Sequence, residues 1–227
     1  MKLNLFRLLL LASMVLFIAC LGDDVDIDNN RRILVKGKIV DKEGNPLPDI
    51  IIVTSANSDP LGQTQSDASG NFRLISLDEE FDPLDVLINI DPFFYLNVDY
   101  DYSSLAYRSS VHNDRLLYDL GTIILGDKAE LNLTFNNLLG DENTLGYTIK
   151  YTPANCELPL NVTNPPDNCD LAAIREGDLN PISENTTVSI ESILGSTVLL
   201  EYSLNFEPVQ TIEIPLTNLD TNYVFEY

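Results

Sequence analysis

The side chains able to do chemistry in this chain are few and poorly matched to one another. There is one histidine, His112, which excludes multi-histidine zinc sites and leaves at most one imidazole acid or base. With 35 Asp and Glu residues, close carboxylate pairs are too plentiful to single out an acid–base couple. No G-x-S-x-G, H-E-x-x-H, G-x-G-x-x-G or Walker-type stretch occurs. Asp24, Asp26 and Asp28 have the spacing that opens a calcium loop, but the loop's glycine position holds Asn29 and its bidentate-glutamate position holds Val35. No catalytic residue, metal or cofactor is therefore expected, and the chain reads as a non-enzyme. What remains is a run of rings, Phe93, Phe94, Tyr95, Tyr100, Tyr102 and Tyr107. Such rings stack on sugar faces if they share an exposed surface and fill a core if they do not. They are the candidate surface for a glycan or protein ligand.

Length and charge set the frame. The 227 residues have room for two domains of about 100 residues, each able to bury a core. The formal charge is −22. Nucleic acid and anionic headgroups are bound by Lys/Arg clusters, so nucleic acid is not an expected partner.

Residues 1–19 have the layout of an export signal: Lys2 and Arg7 give a positive start and Leu8 to Ala19 an apolar run, too short to span a bilayer. The stretch Phe17-Ile18-Ala19-Cys20 resembles the lipobox of bacterial lipoproteins, with Phe17 where leucine is usual. The resemblance implies that Cys20 is lipidated and becomes the new N-terminus, so the membrane itself is a partner; several acyl chains anchor stably where one does not. Residues 20–32 follow as an acidic tether. The run Asp23, Asp24, Asp26 resembles the surface-export signal of Bacteroidota-type lipoproteins, which implies a place on the outer membrane, facing outward.

The longest consistent pattern lies in residues 33–77. Ile33 to Val40 alternates Val35, Gly37 and Ile39 with Lys36 and Lys38, the period of a half-buried strand. Asp41 to Asn45 turns the chain at Gly44, and Pro46 and Pro48 belong to the connection. Ile50 to Thr54 reads as a buried strand, Asp67 to Asn71 as a second turn and Phe72 to Ile75 as the returning strand. Gly37, Asp41, Gly44, Pro46, Leu47, Asp67, Gly70 and Phe72 resemble the pattern of the carboxypeptidase regulatory-like domain, with Asp49 and Ser66 in place of its usual glycine and threonine. Asp119 to Ile123 resembles that family's closing strand. The resemblance implies a transthyretin-like, seven-stranded sandwich over residues 33–126, an accessory module that says little about function. Within it, Leu84 to Ile90 reads as another strand. The long polar segment Asn97 to Asp114 is either a functional excursion or a badly paired edge strand. Its Tyr107-Arg108-Ser109-Ser110 resembles the terminal tetrapeptide of hydroxyisourate hydrolases, but it is internal and lacks the several histidines of those enzymes, so that activity is not expected.

After a short linker at Gly126 to Lys128, strand patterns recur at Glu130 to Phe135, Tyr147 to Tyr151, Thr187 to Ile190, Val198 to Leu204, Val209 to Ile214 and Tyr223 to Phe225. Residues 127–227 thus read as a second antiparallel sandwich, immunoglobulin-like or transthyretin-like. Leu171 to Glu176 is at most a turn or two of helix, and no motif-level repeat relates the halves. With Cys20 taken by lipid, Cys156 and Cys169 form an even pair in an oxidising compartment, for which a disulfide is expected; two cysteines without nearby histidine are too few for a metal. The expected whole is all-β: two sandwiches behind a lipoprotein signal peptide. Its expected role is an anchored accessory or binding module, with a fimbrillin-like pilus or adhesin subunit as the alternative.

Overall fold

A computed structural model describes residues 27–57, 59–92, 98–112, 114–138, 142–160 and 169–227. The signal peptide, Cys20, Asp23, Asp24, Asp26, Phe93 and Phe94 lie outside the described residues.

The first strand, β1 (Ile27–Val40), sends Ile33, Val35 and Ile39 into a core, each at most 1% exposed, and leaves Lys36 and Lys38 outside. After the Asp41 turn come β2 (Ile51–Ala56), β3 (Asp59–Gln65), β4 (Asn71–Glu79), β5 (Asp85–Ile88), β6 (Ser104–Arg108) and β7 (Leu117–Ile124). They form two facing sheets, ordered β4-β1-β7 and β6-β5-β2-β3. β1 runs antiparallel to β4 and parallel to β7, and Gly37 sits opposite Phe72. A Cβ at Gly37 would come within 2.8 Å of the Phe72 ring, so the ring lies directly on the backbone of β1. At the β3–β4 turn, Gly70 has φ +76°, and a Cβ there would stand 2.2 Å from the Ile39 carbonyl oxygen.

All six residues of β2 are buried, which one core cannot explain because successive side chains point to opposite faces. The second layer is the long segment after β5. Ile90 and Val98 pack on Ile51, Val53, Leu87 and Ala106 on the outer face of that sheet. Asn89 holds the segment down: its side chain donates to the Asp99 carbonyl at 2.7 Å and accepts the Asp99 N–H at 2.9 Å. The described part of the stretch, from Val98, thus packs on that outer face before the well-paired strand β6.

The second half contains β8 (Lys128–Asn136), β9 (Leu145–Tyr151), β10 (Asn155–Pro159), β11 (Ala173–Leu179), β12 (Thr186–Ile193), β13 (Thr197–Leu204), β14 (Gln210–Pro215) and β15 (Asp220–Glu226). Their sheets are β12-β8-β15 and β11-β9-β13-β14. Phe135 lies at the centre of their core, stacked on Tyr147 at 4.3 Å and edge-on to Phe225 at 6.1 Å. With β10 set aside, the two halves have one topology. β8, β9, β11, β12, β13, β14 and β15 correspond in order to β1 through β7, down to the parallel pairing of first and last strand. The fold repeats where the sequence motifs do not, and the second sandwich follows the plan of the first.

One expectation is corrected. Residues 171–176 do not form a helical turn; they run into β11, which pairs with β9 over its whole length because β9 offers an open edge. Within 127–227 one strand, β10, leaves the second sandwich and joins β6 of the first half. The linker is also no loose hinge. Lys128 N–H donates to Asp101, Ser103 N–H to Gly126 and Leu194 N–H to Asp127, tying the halves together.

Candidate ligand cleft at the strand graft

β10 lies parallel to β6 with Cys156 opposite Leu105 and Leu158 opposite Tyr107. Backbone bonds bracket the pairing: Ser104 N–H donates to Ala154 O at 2.9 Å and Leu160 N–H to Arg108 O at 2.8 Å. Because Leu160 donates inward, Pro159 points its donor-less nitrogen to the open edge, where a strand tolerates proline. Leu158 and Leu160 pack into the first core. Arg108 braces the graft, bonding Asp85 of β5 at 2.6 Å and Glu157 of β10 at 3.0 Å. Burial pushes the Asp85 carboxyl above the usual carboxylate range, and the Arg108 guanidinium partly offsets that push. The expected disulfide is present: Cys156 in β10 is bonded to Cys169, just ahead of β11. It fixes the excursion at both ends, so the second sandwich is stapled to the strand it lends to the first.

Beside the graft is a cleft of about 880 Å³. One wall is β7, the edge of its sheet; the other is β6 with β10, and residues 193–196 close the end. Tyr107, Tyr118, Leu158 and Leu160 line its apolar depth, while Lys42, Arg115, Asp119 and Asp170 stand around it. Lys42 Nζ donates to the Leu194 carbonyl and so bridges the sandwiches at the closed end. The Asp119 carboxyl is held below its ordinary range, first by the hydrogen bond from Lys36 and then by the Gly121 N–H. The hydroxyls along the cleft are engaged: Ser103 Oγ accepts the Gly126 N–H, Ser104 Oγ donates to Asn89 O, and Ser196 Oγ donates to Ile193 O. An apolar slot rimmed by charge, with an open strand edge along one side, has the chemistry to hold an extended or amphipathic ligand.

Of the candidate aromatic surface, the described rings Tyr100, Tyr102 and Tyr107 do not share one face. Tyr107 is 7% exposed, belongs to the first core and lines the cleft floor; burial raises its hydroxyl pKa. Tyr102 packs against the first core beside Asp127, its pKa raised first by burial and then by surrounding carboxylates. Tyr100 alone of the three stands out, 77% exposed. His112 is far from these groups in role: its Nε2 lies 4.0 Å from Asp78 Oδ2, which also receives Arg31 Nε at 3.0 Å. Of the Tyr107–Ser110 stretch, Arg108 is held by carboxylates and Ser109 Oγ donates to Val111 O. Among the described residues no group of three or more His, Cys, Asp or Glu is placed to hold a metal. The graft escaped the sequence reading although its signal, Leu158 and Leu160 alternating just inside the Cys156–Cys169 loop, is present.

No family model matches this chain, and no curated protein matches it. Among solved structures it is similar to the Bacillus anthracis TIE protein, at 10% identity over 86% of this chain and 34% of that one, with a TM-score of 0.29. It is also similar to 3-chlorocatechol 1,2-dioxygenase from Rhodococcus opacus, at 17% identity over 47% of this chain and 62% of that one, TM-score 0.30. A third is the tip fimbrial protein Mfa3 from Porphyromonas gingivalis, at 10% identity over 86% and 94%, TM-score 0.28. The chain thus spans about a third of the first protein's length and under two thirds of the second's. Likenesses this distant carry no argument about function. What the strand pairings themselves establish is an all-β chain of two like sandwiches, interlocked by one exchanged strand.

Proposed function

We propose that this chain is a non-enzymatic, lipid-anchored accessory or binding module of the outer membrane, held through Cys20 on an acidic tether and facing outward. The observation that carries the binding role is the cleft between β7 and the grafted β10, where two strand edges that no other described strand pairs with flank an apolar slot. Its ligand is a glycan or a protein segment. Leu117 lines the slot yet is 50% exposed, so Leu117→Arg alters the cleft without emptying the core. In a glycan and peptide screen, saturable binding that Leu117→Arg abolishes supports the reading; equal binding by the variant refutes it. The anchor is tested separately. Cys20→Ala should release the chain from the membrane fraction, and Ala at Asp23, Asp24 and Asp26 should leave it anchored but shielded from external protease.

A second reading, a structural pilus or adhesin subunit, is favoured by one feature. The first sandwich already accepts a strand from outside its own span, and β7 leaves a further edge open. Polymers recovered by shearing cells would support it, and ligand binding without polymers would sink it.

A further inference from the structure

The corresponding three-stranded faces of the two sandwiches carry opposite charge. On the β4-β1-β7 sheet, strand register sets Arg73, Lys36 and Asp119 in one row, with Lys38 between Asn71 and Thr122 in the next. Lys36 is paired to Asp119 at 2.9 Å, and Arg73 and Lys38 add positive charge beside it. The neighbouring row is apolar: Ile75, Leu34 and Leu117, with Ile75 59% and Leu117 50% exposed. On the β12-β8-β15 sheet, the register sets Glu191, Glu130 and Asp220 side by side, three carboxylates across three strands. Like charges directly opposite one another weaken a sheet, so such a row gains from a cationic cover. The chain has only 13 Lys and Arg against 35 acids, which makes the basic face the exception and the acidic one its complement.

We propose that these two faces dock on each other between copies of this chain, the β4-β1-β7 face of one copy on the β12-β8-β15 face of the next. Strands on both faces are spaced about 4.8 Å apart, so the cations that Asp119 does not already neutralise, Arg73 and Lys38, stand at a spacing comparable to that of the facing carboxylates. The two faces lie on different sandwiches, so the contact is heterologous and propagates head to tail. Each face covers roughly 14 by 26 Å, about 400 Å² for a three-stranded sheet, half of what a standard interface contributes per partner. The contact is accordingly reversible. The net charge of −22 opposes association, but at about 0.15 M salt the Debye length is about 8 Å, which mutes the distant acids and spares the facing rows.

The docking face shares Leu117 and Asp119 with the cleft rim, so the variants that test it are placed at positions outside the cleft lining. The test is sedimentation of the full chain in neutral detergent, with two charge-reversed variants, Lys38→Glu with Arg73→Glu and Glu191→Lys with Asp220→Lys. All four positions face solvent on sheet exteriors, and unchanged melting curves confirm folding. The wild type should self-associate with concentration and disperse at about 1 M salt, where the Debye length is about 3 Å. Each variant alone should associate at least tenfold more weakly. Mixing them should restore association, because the reversed faces then match each other. Variants that assemble like the wild type, or a mixture that stays dispersed, would overturn the proposal. So would a wild type that stays monomeric yet is held on an acidic polysaccharide through Arg73 and Lys38, which would give the basic face to a foreign anionic partner.

Discussion

Replacing both cysteines by serine, Cys156→Ser with Cys169→Ser, should free the grafted strand before anything else. The bond closes a ring from residue 156 to 169. In the chain-entropy account a loop of about 14 residues is worth about 3 kcal/mol. That loss is not spread evenly. The strands of the second core pair with one another whether or not the ring is closed, whereas β10 has one backbone neighbour, β6, and two apolar anchors, Leu158 and Leu160. Opening β10 therefore becomes cheaper by up to the full amount, on the order of 10²-fold in local opening equilibrium. Hydrogen exchange reads this directly. The Leu160 and Ser104 N–H groups, which bond to Arg108 and Ala154 across the graft, should lose protection by up to that factor. Amides of β8, such as Leu131 and Leu133 in the second core, should change far less. Unchanged exchange at Leu160, or an equal loss throughout β8, would refute the idea that the disulfide acts chiefly on the graft.

Two further perturbations follow from particular atoms. Arg108→Met removes the group that lowers Asp85, so the Asp85 carboxyl should titrate higher still, while Glu157→Gln removes a charge that raises it and should shift it down; carbon-detected NMR titration decides, and shifts of the opposite sign would be fatal. In sign, a carboxyl raised in the folded state costs stability once pH exceeds its folded pKa, and the cost vanishes below the unfolded value of 3.8. Gly44 and Gly70 both have positive φ, yet a Cβ at Gly44 meets nothing within 4 Å whereas one at Gly70 strikes Ile39 O. Gly44→Ala should cost about 1 kcal/mol, the ordinary left-handed penalty, and Gly70→Ala more than about 3 kcal/mol, by urea denaturation. Equal midpoints would contradict the close approach.

Much of the first sandwich was legible because its signals are local. The alternation around Val35 and Ile39, the Asp-based turns at Gly44 and Gly70, and the run Ile50 to Val53 each depend on residues within a few positions. The strands at 130–135, 198–204 and 223–225 were legible for the same reason. What local pattern could not supply was the second layer. β2 looks like any buried strand until Asn89 is seen fastening the segment that covers its far side. Whether Tyr107 fills a core or lines a surface stayed open for the same reason, since alternation tells that a side chain has a face but not what lies against it.

The sequence by itself determined strands, turns and the even cysteine pair, since these rest on backbone sterics, side-chain period and parity. Only the tertiary structure decided that the halves share one topology, because equivalent strands keep the same order while their residues differ. The structure alone also decided that β10 crosses to β6, since a short run with two leucines fits any apolar edge and nothing in its own residues names the partner. The cleft follows from that crossing. It is made by edges far apart in the chain, and so no stretch of sequence contains it.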